Sequence, residues 1–204
     1  MNSQMQELIR EWGPPVAGMI AVLLAGLYAL ARYRSLRAER RLVAAVNRVG
    51  YESLVNVMVP DGMDGHFHLD FLLLTQRGIL IVDLRRVGGN IFGGDQMTEW
   101  AVMTRKRRFS FANPQQALYD RLAAVRTLAG DVPVEGRIVF TDRARFPKGM
   151  PKYVLMLESL AAEFAPVDKS SMTAHVGKFR GGWEHVKRHA SASTLGGLRL
   201  RPIF

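Results

Sequence analysis

Apolar positions along the chain follow three patterns. Trp12 to Ala31, WGPPVAGMIAVLLAGLYALA, carries no charge for 20 residues, about the ~20 that cross a ~30 Å hydrocarbon core as a helix. Pro14 and Pro15 are expected in its first turn, and Trp12 and Tyr28 near the two membrane interfaces. Helical spacing returns from Leu36 to Val49, with Leu42, Val43, Val46 and Val49 on one side and arginines elsewhere. Short apolar runs of strand length then follow: Leu54 to Val59, Phe67 to Leu74, Ile79 to Leu84, Trp100 to Met103, Phe109 to Phe111, Arg137 to Phe140 and Tyr153 to Leu157. One more strong helix is predicted after Asn113. Asn is placed to cap, Pro114 sits at the first helical position, Leu118, Leu122, Val125 and Leu128 form a stripe, and Gly130 ends it. Weaker helical patterns run from Glu158 to Phe164 and from Trp183 to His189, before a Gly-Gly break.

The two longest runs, Phe67 to Leu74 and Ile79 to Leu84, flank Thr75-Gln76-Arg77-Gly78, where Gly supplies a positive φ for a tight turn. With Gln76 and Arg77 as a two-residue loop, Thr75 faces Gly78 and Asp70 faces Asp83; a longer loop would offset the acids by a step. Period two puts Arg85 on the face of Asp83 and Leu84 on the other. One face thus collects Asp70, Asp83 and Arg85. Facing carboxylates repel, so the pair requires either an arginine or a divalent cation. Carboxylate oxygens with room for water suit Mg²⁺ or Mn²⁺. His66 and His68 share the face of Asp70, but no third nitrogen or sulfur ligand accompanies them.

Charge and composition narrow the partners. The net charge of +10 favours an anionic partner, nucleic acid or an anionic membrane surface. The absence of cysteine removes disulfides, thiolate zinc sites and cysteine nucleophiles. Four adjacent cations, Arg105, Lys106, Arg107 and Arg108, occupy the turn between two short strands, where they suit phosphate contacts that are independent of base sequence. The glycine-rich stretch Gly88 to Gly94 lacks the strand-to-helix context and the Gly-Lys-Ser/Thr of a phosphate-binding loop. Arg32, Arg34, Arg37, Arg40 and Arg41 follow the apolar stretch at once. An uncleaved anchor with its arginine-rich side and the following domain in the cytoplasm is therefore expected.

The order acid, apolar strand, turn with Gly, apolar strand, acid-x-basic, followed by Gly89-Asn90-Ile91-Phe92-Gly93, Trp100 and Asn113-Pro114-Gln115-Gln116, resembles the nuclease-related domain, NERD. That family is related to the PD-(D/E)xK restriction-endonuclease-like nucleases, and the resemblance runs from Glu39 to Asp142. It implies metal-dependent phosphodiester hydrolysis of nucleic acid, with DNA favoured. Asp70 and Asp83 would hold Mg²⁺ or Mn²⁺, and Arg85 would be the basic partner. Glu39 on the first helix and Gln116 at the start of the Asn-Pro helix would complete the site. Three departures stand out. Asp83-Leu84-Arg85 replaces the usual Glu-x-Lys, Phe71 stands where His commonly follows the first acid, and the usual Gln spacing would fall one residue later, at Ala117. Arg85 can stabilise developing negative charge, but guanidinium stays protonated and cannot act as a base.

The resulting expectation is an α/β protein: a restriction-endonuclease-like mixed sheet flanked by helices, with one N-terminal transmembrane helix. Its parts would be a short tail (1–11), an anchor (12–34), the nuclease-related domain (35–165) and a C-terminal extension packing on it (166–204). The rival functional expectation is a catalytically degenerate relative acting as a membrane-tethered nucleic-acid-binding or scaffold module.

Overall fold

The computed structural model describes residues 3–141, 143–168 and 176–192, with residues 3–17 as backbone alone. The Gly-Gly break near the C-terminus lies outside them. The chain divides into two compact units, Met1–Val43 and Ala44–Phe204.

Helix α1, Ser3–Asn47, is continuous, whereas the pattern predicted an anchor and then a second helix from Leu36. Nothing between Ala31 and Val46 interrupts it, since the intervening Arg, Leu, Ala and Glu are good helix formers and no Gly or Pro intervenes. Because α1 starts at Ser3, Pro14 and Pro15 fall inside it and not in its first turn. Its Gly18–Asn47 part is long and apolar enough, by length and composition, to cross a membrane, with mean hydropathy 1.3. Val22 and Leu27 along it are 72 % and 63 % exposed.

The second unit is mixed α/β, with two mixed sheets. The larger contains β1 (Glu52–Pro60), β2 (His66–Thr75), β3 (Gly78–Arg85), β7 (Val134–Phe140), β9 (Val154–Met156) and β10 (Ser191–Ala192). Their order is β10-β1-β2-β3-β7-β9, so the predicted hairpin β2–β3 is the central pair. Pairing is antiparallel from β10 to β3 and parallel from β3 through β7 to β9. The smaller sheet contains β4 (Gly89–Phe92), β5 (Glu99–Met103), β6 (Arg108–Ala112) and β8 (Ala144–Arg145), ordered β6-β5-β4-β8. Its strands β4, β5 and β6 are inserted between β3 and β7 together with α2 (Pro114–Ala129), which makes the crossover that a parallel pair requires, whereas β8 follows β7.

Local chemistry explains the boundaries. At the hairpin, Gly78 has φ 119°. Thr75 Oγ1 donates to Gly78 O at 2.9 Å and accepts from Arg77 N at 3.2 Å, closing the two-residue loop. Asn113 Oδ1 accepts from Gln115 N at 2.9 Å, capping α2, and Gly130 at φ 61° ends it. Leu118, Leu122 and Val125 of α2 are buried, and a side chain at Gly136 on β7 would strike Leu118, so glycine sets the approach of helix to sheet. The fully buried Trp100 of β5 packs against Phe140 and Phe146, and Gly93 leaves room for its ring. At the other edge, α3 (Leu157–Glu163) carries Glu163, which pairs with Arg137. Helix α4 (Arg180–His189) is fixed to β1 through Glu52, which accepts from Trp183 Nε1 at 2.8 Å and pairs with Arg180 at 2.8 Å.

Candidate functional site

The β2–β3 ladder runs from Thr75↔Gly78 to Phe71↔Val82, and one further step puts Asp70 opposite Asp83. The side chain of Asp70 is 12 % exposed and that of Asp83 6 %. At this step a carboxylate replaces the ladder bond: Asp70 Oδ2 accepts the Leu84 N–H at 2.8 Å. Asp83 Oδ2 accepts two charge-assisted hydrogen bonds, from Arg85 Nη2 at 2.7 Å and from Arg121 Nη1 at 2.8 Å. Burial, and next the negative charge of Asp83, push the Asp70 carboxyl up to about 7. Interaction with the neighbouring Asp83 side chain adds to that rise.

A second polar layer surrounds the pair. His68 Nδ1 lies 3.6 Å from Asp70 Oδ1, and its Nε2 bonds Asn56 Oδ1. Arg121 Nε donates to His68 O at 2.8 Å, so one guanidinium ties α2, β2 and β3 together. Burial and the Arg121 charge hold the His68 imidazole below its usual range, favouring the neutral ring. Asn56 sits in β1 at φ 57°, between the pairs Val55↔Phe71 and Val57↔Leu69, and hence beside Asp70. A left-handed non-Gly residue inside a strand is uncommon, and Asn tolerates it best after Gly.

The remaining predicted residues fall in different places. Gln116 is exposed and bonds to none of Asp70, Asp83 or Arg85. The buried glutamine is Gln115, which donates to Asp95 Oδ1 at 2.8 Å and to Lys152 O at 2.9 Å. Glu39 lies on α1 within the Met1–Val43 unit. Arg105, Lys106 and Arg107 form an exposed turn held by Thr104, and Arg108 opens β6. Sequence reasoning missed Arg121, yet a signal existed: it occupies the Leu118–Leu122–Val125 stripe, where an unpaired cation would be costly. Gln115 lies on the same stripe and Gln116 off it.

The divalent cation implied by the resemblance can be tested against these donors. No group of three or more His, Cys, Asp and Glu that could hold a metal occurs among the described residues. Both hydrogen bonds on Asp83 Oδ2 come from fixed cations, so two guanidinium charges already face the acids before any metal enters. A cation would have to bind against both guanidiniums or displace one, and it would have to deprotonate Asp70. The residues present therefore do not fit a resident Mg²⁺ or Mn²⁺, and the choice left open by the facing acids, arginine or cation, falls to arginine.

A family model described as a nuclease-related domain matches residues 34–141. No curated protein and no solved structure matches the chain. The description points to nucleic acid and, in general terms, to divalent-metal chemistry. The matched segment is just over half of the 204 residues and holds the hairpin acids, strands β4 to β6 of the small sheet and α2; the chain belongs to the nuclease-related domain family, whose general context is the PD-(D/E)xK superfamily.

Proposed function

We propose that this protein is a membrane-anchored nucleic-acid-binding member of the nuclease-related family in which hydrolysis is suppressed. The observation that carries this reading is the double guanidinium on Asp83 Oδ2, with Arg85 and Arg121 at 2.7 and 2.8 Å. Two positive charges held at that oxygen repel a divalent cation approaching the same carboxylate, so a metal would bind there only weakly unless one guanidinium moved away. The basic turn Arg105 to Arg108 and the net charge of +10 support an anionic polymer as partner. The apolar Gly18–Asn47 segment supports the anchor, and the arginines after Ala31 support a cytoplasmic domain.

The second reading is metal-dependent phosphodiester hydrolysis. It is favoured by the retention of both acids face to face on the central hairpin, and it requires Arg85 or Arg121 to release Asp83. The deciding experiment uses the full chain in a neutral detergent: Mn²⁺ titration by calorimetry, oligonucleotide binding by fluorescence anisotropy, and plasmid nicking with and without Mn²⁺. Oligonucleotide binding with no Mn²⁺ isotherm and no nicking is expected. Mn²⁺-dependent nicking that Asp70→Asn abolishes would establish the hydrolytic reading instead.

A further inference from the structure

Cross-strand partners share a face, so the register of the small sheet aligns Arg145, Asn90, Met103 and Arg108 in one row across β8, β4, β5 and β6. All four are exposed, while Ile91 and Val102, one residue along, turn into the core. Four strands span about 14 Å, with a guanidinium at each end of the row. At the β8 end the surface opens into a cleft of about 530 Å³ lined by Gly88, Gly89, Asn90, Arg105, Arg143 and Arg145, among others.

Three cations therefore converge on one concavity. Arg105, Arg143 and Arg145 have no carboxylate partner among the described residues. Guanidiniums held together without a counter-ion favour an anion that can bridge them. Glycine forms the near wall: Gly89, at φ 124°, packs where a Cβ would meet Met103 O at 2.8 Å, so main chain and not side chain borders the cleft. The same face carries the half-exposed Phe92, two residues from Asn90, and Met103 at 47 % exposure. Glu99, the acid on this face, bonds Ser110 Oγ at the end away from the cleft.

We propose that the outer face of the β6-β5-β4-β8 sheet is a track for single-stranded nucleic acid, with phosphodiester oxygens on Arg143, Arg145 and Arg105 in the cleft and a base on Phe92. A cationic groove beside a partly exposed aromatic can hold a strand without sequence preference. A duplex keeps its bases stacked inside and would leave Phe92 unused. Gly88 is three residues past Arg85, hence within about 11 Å of it, so a strand on the track passes close to the acid pair. The proposal rests on the nucleic-acid reading above and specifies its ligand and its surface.

The test measures anisotropy of a labelled oligo(dT) with the full chain in neutral detergent across a salt series. Arg143→Gln with Arg145→Gln should weaken binding at least tenfold and flatten the log–log salt slope by about 1.4, at about 0.7 per phosphate contact on single strands. Phe92→Leu should weaken binding several-fold and leave that slope unchanged. Lys178→Gln with Arg188→Gln, on the segment of α4 and the turn before it, makes the same charge change and should alter neither. Circular dichroism checks that each variant is folded, and Arg145→Lys alone should keep the parent slope. Parent binding with no specific loss in the Arg143/Arg145 variant overturns the track and leaves the nucleic-acid reading standing, whereas a parent that binds no oligonucleotide overturns both. Loss of binding to dioctanoyl phosphatidylglycerol with an unchanged oligonucleotide isotherm reassigns the cleft to lipid headgroups and also overturns the proposal.

Discussion

Asp70 carries the largest electrostatic consequence of any single side chain in the site. Its folded-state value of about 7 lies above the ordinary 3.8 of a free Asp. A raised carboxyl favours the protonated form in the folded state. The folded protein is therefore unpenalised below about pH 4 and progressively destabilised as pH rises through 4 to 7. Three pH units correspond to about 4 kcal/mol as an upper figure. Asp70→Asn keeps an oxygen for the Leu84 N–H and removes the charge. It should raise the melting temperature at pH 8, with the gain fading towards pH 4, as followed by Trp fluorescence. A variant less stable than the parent at pH 8 would contradict the burial argument. Arg121 is the complementary case: Arg121→Leu removes a charge-assisted bond to Asp83 and a bond to His68 O, and a loss of about 1.5–3 kcal/mol is expected in urea unfolding. Freeing the acids for metal requires more than restoring the family's residues. Asp83→Glu with Arg85→Lys leaves Arg121 in place, so Mn²⁺ binding and nicking should rise by an order of magnitude, about 1.4 kcal/mol in barrier, only when Arg121→Gln is added. Equal nicking in the double and triple variants would show that Arg121 does not block the site.

The hairpin and α2 were legible before the structure because their signals are local. Turn chemistry at Thr75 and Gly78 defines the register, and a one-residue slip would send every buried side chain of β3 to the wrong face. Asn113, Pro114 and Gly130 bracket α2 by the same local logic. Asn113→Ala removes the cap on Gln115 N and the Nδ2 bond to Met97 O at 2.8 Å. A cost of about 1–2 kcal/mol is expected by thermal melting, while Gln116→Ala, off the buried stripe, should cost almost nothing. The family spacing falls at Ala117, nearer Gln116 than Gln115, whereas burial follows the helical stripe and takes Gln115. The α1 boundary was misread because interface signals, an apolar stretch ending and arginines beginning, do not interrupt backbone hydrogen bonding.

For the whole molecule, a reporter fused after Phe204 should be active only in the cytoplasm, since the arginines following Ala31 should be retained inside; activity on the other side would reverse the topology. The amino-acid sequence by itself determined the mixed α/β class, the membrane-length apolar segment and the central hairpin, in which a two-residue loop sets Asp70 opposite Asp83. Each of these depends on contacts a few residues apart or on simple periodicity. Only the tertiary structure decided what neutralises the acids. Arg121 comes from α2, 38 residues beyond Asp83, and Asn56 reaches His68 from the neighbouring strand. The row of Arg145, Asn90, Met103 and Arg108 likewise exists only once four strands separated along the chain have paired. Charge compensation and ligand surfaces are set by distances in space, and residues far apart in the chain carry no local signature of meeting.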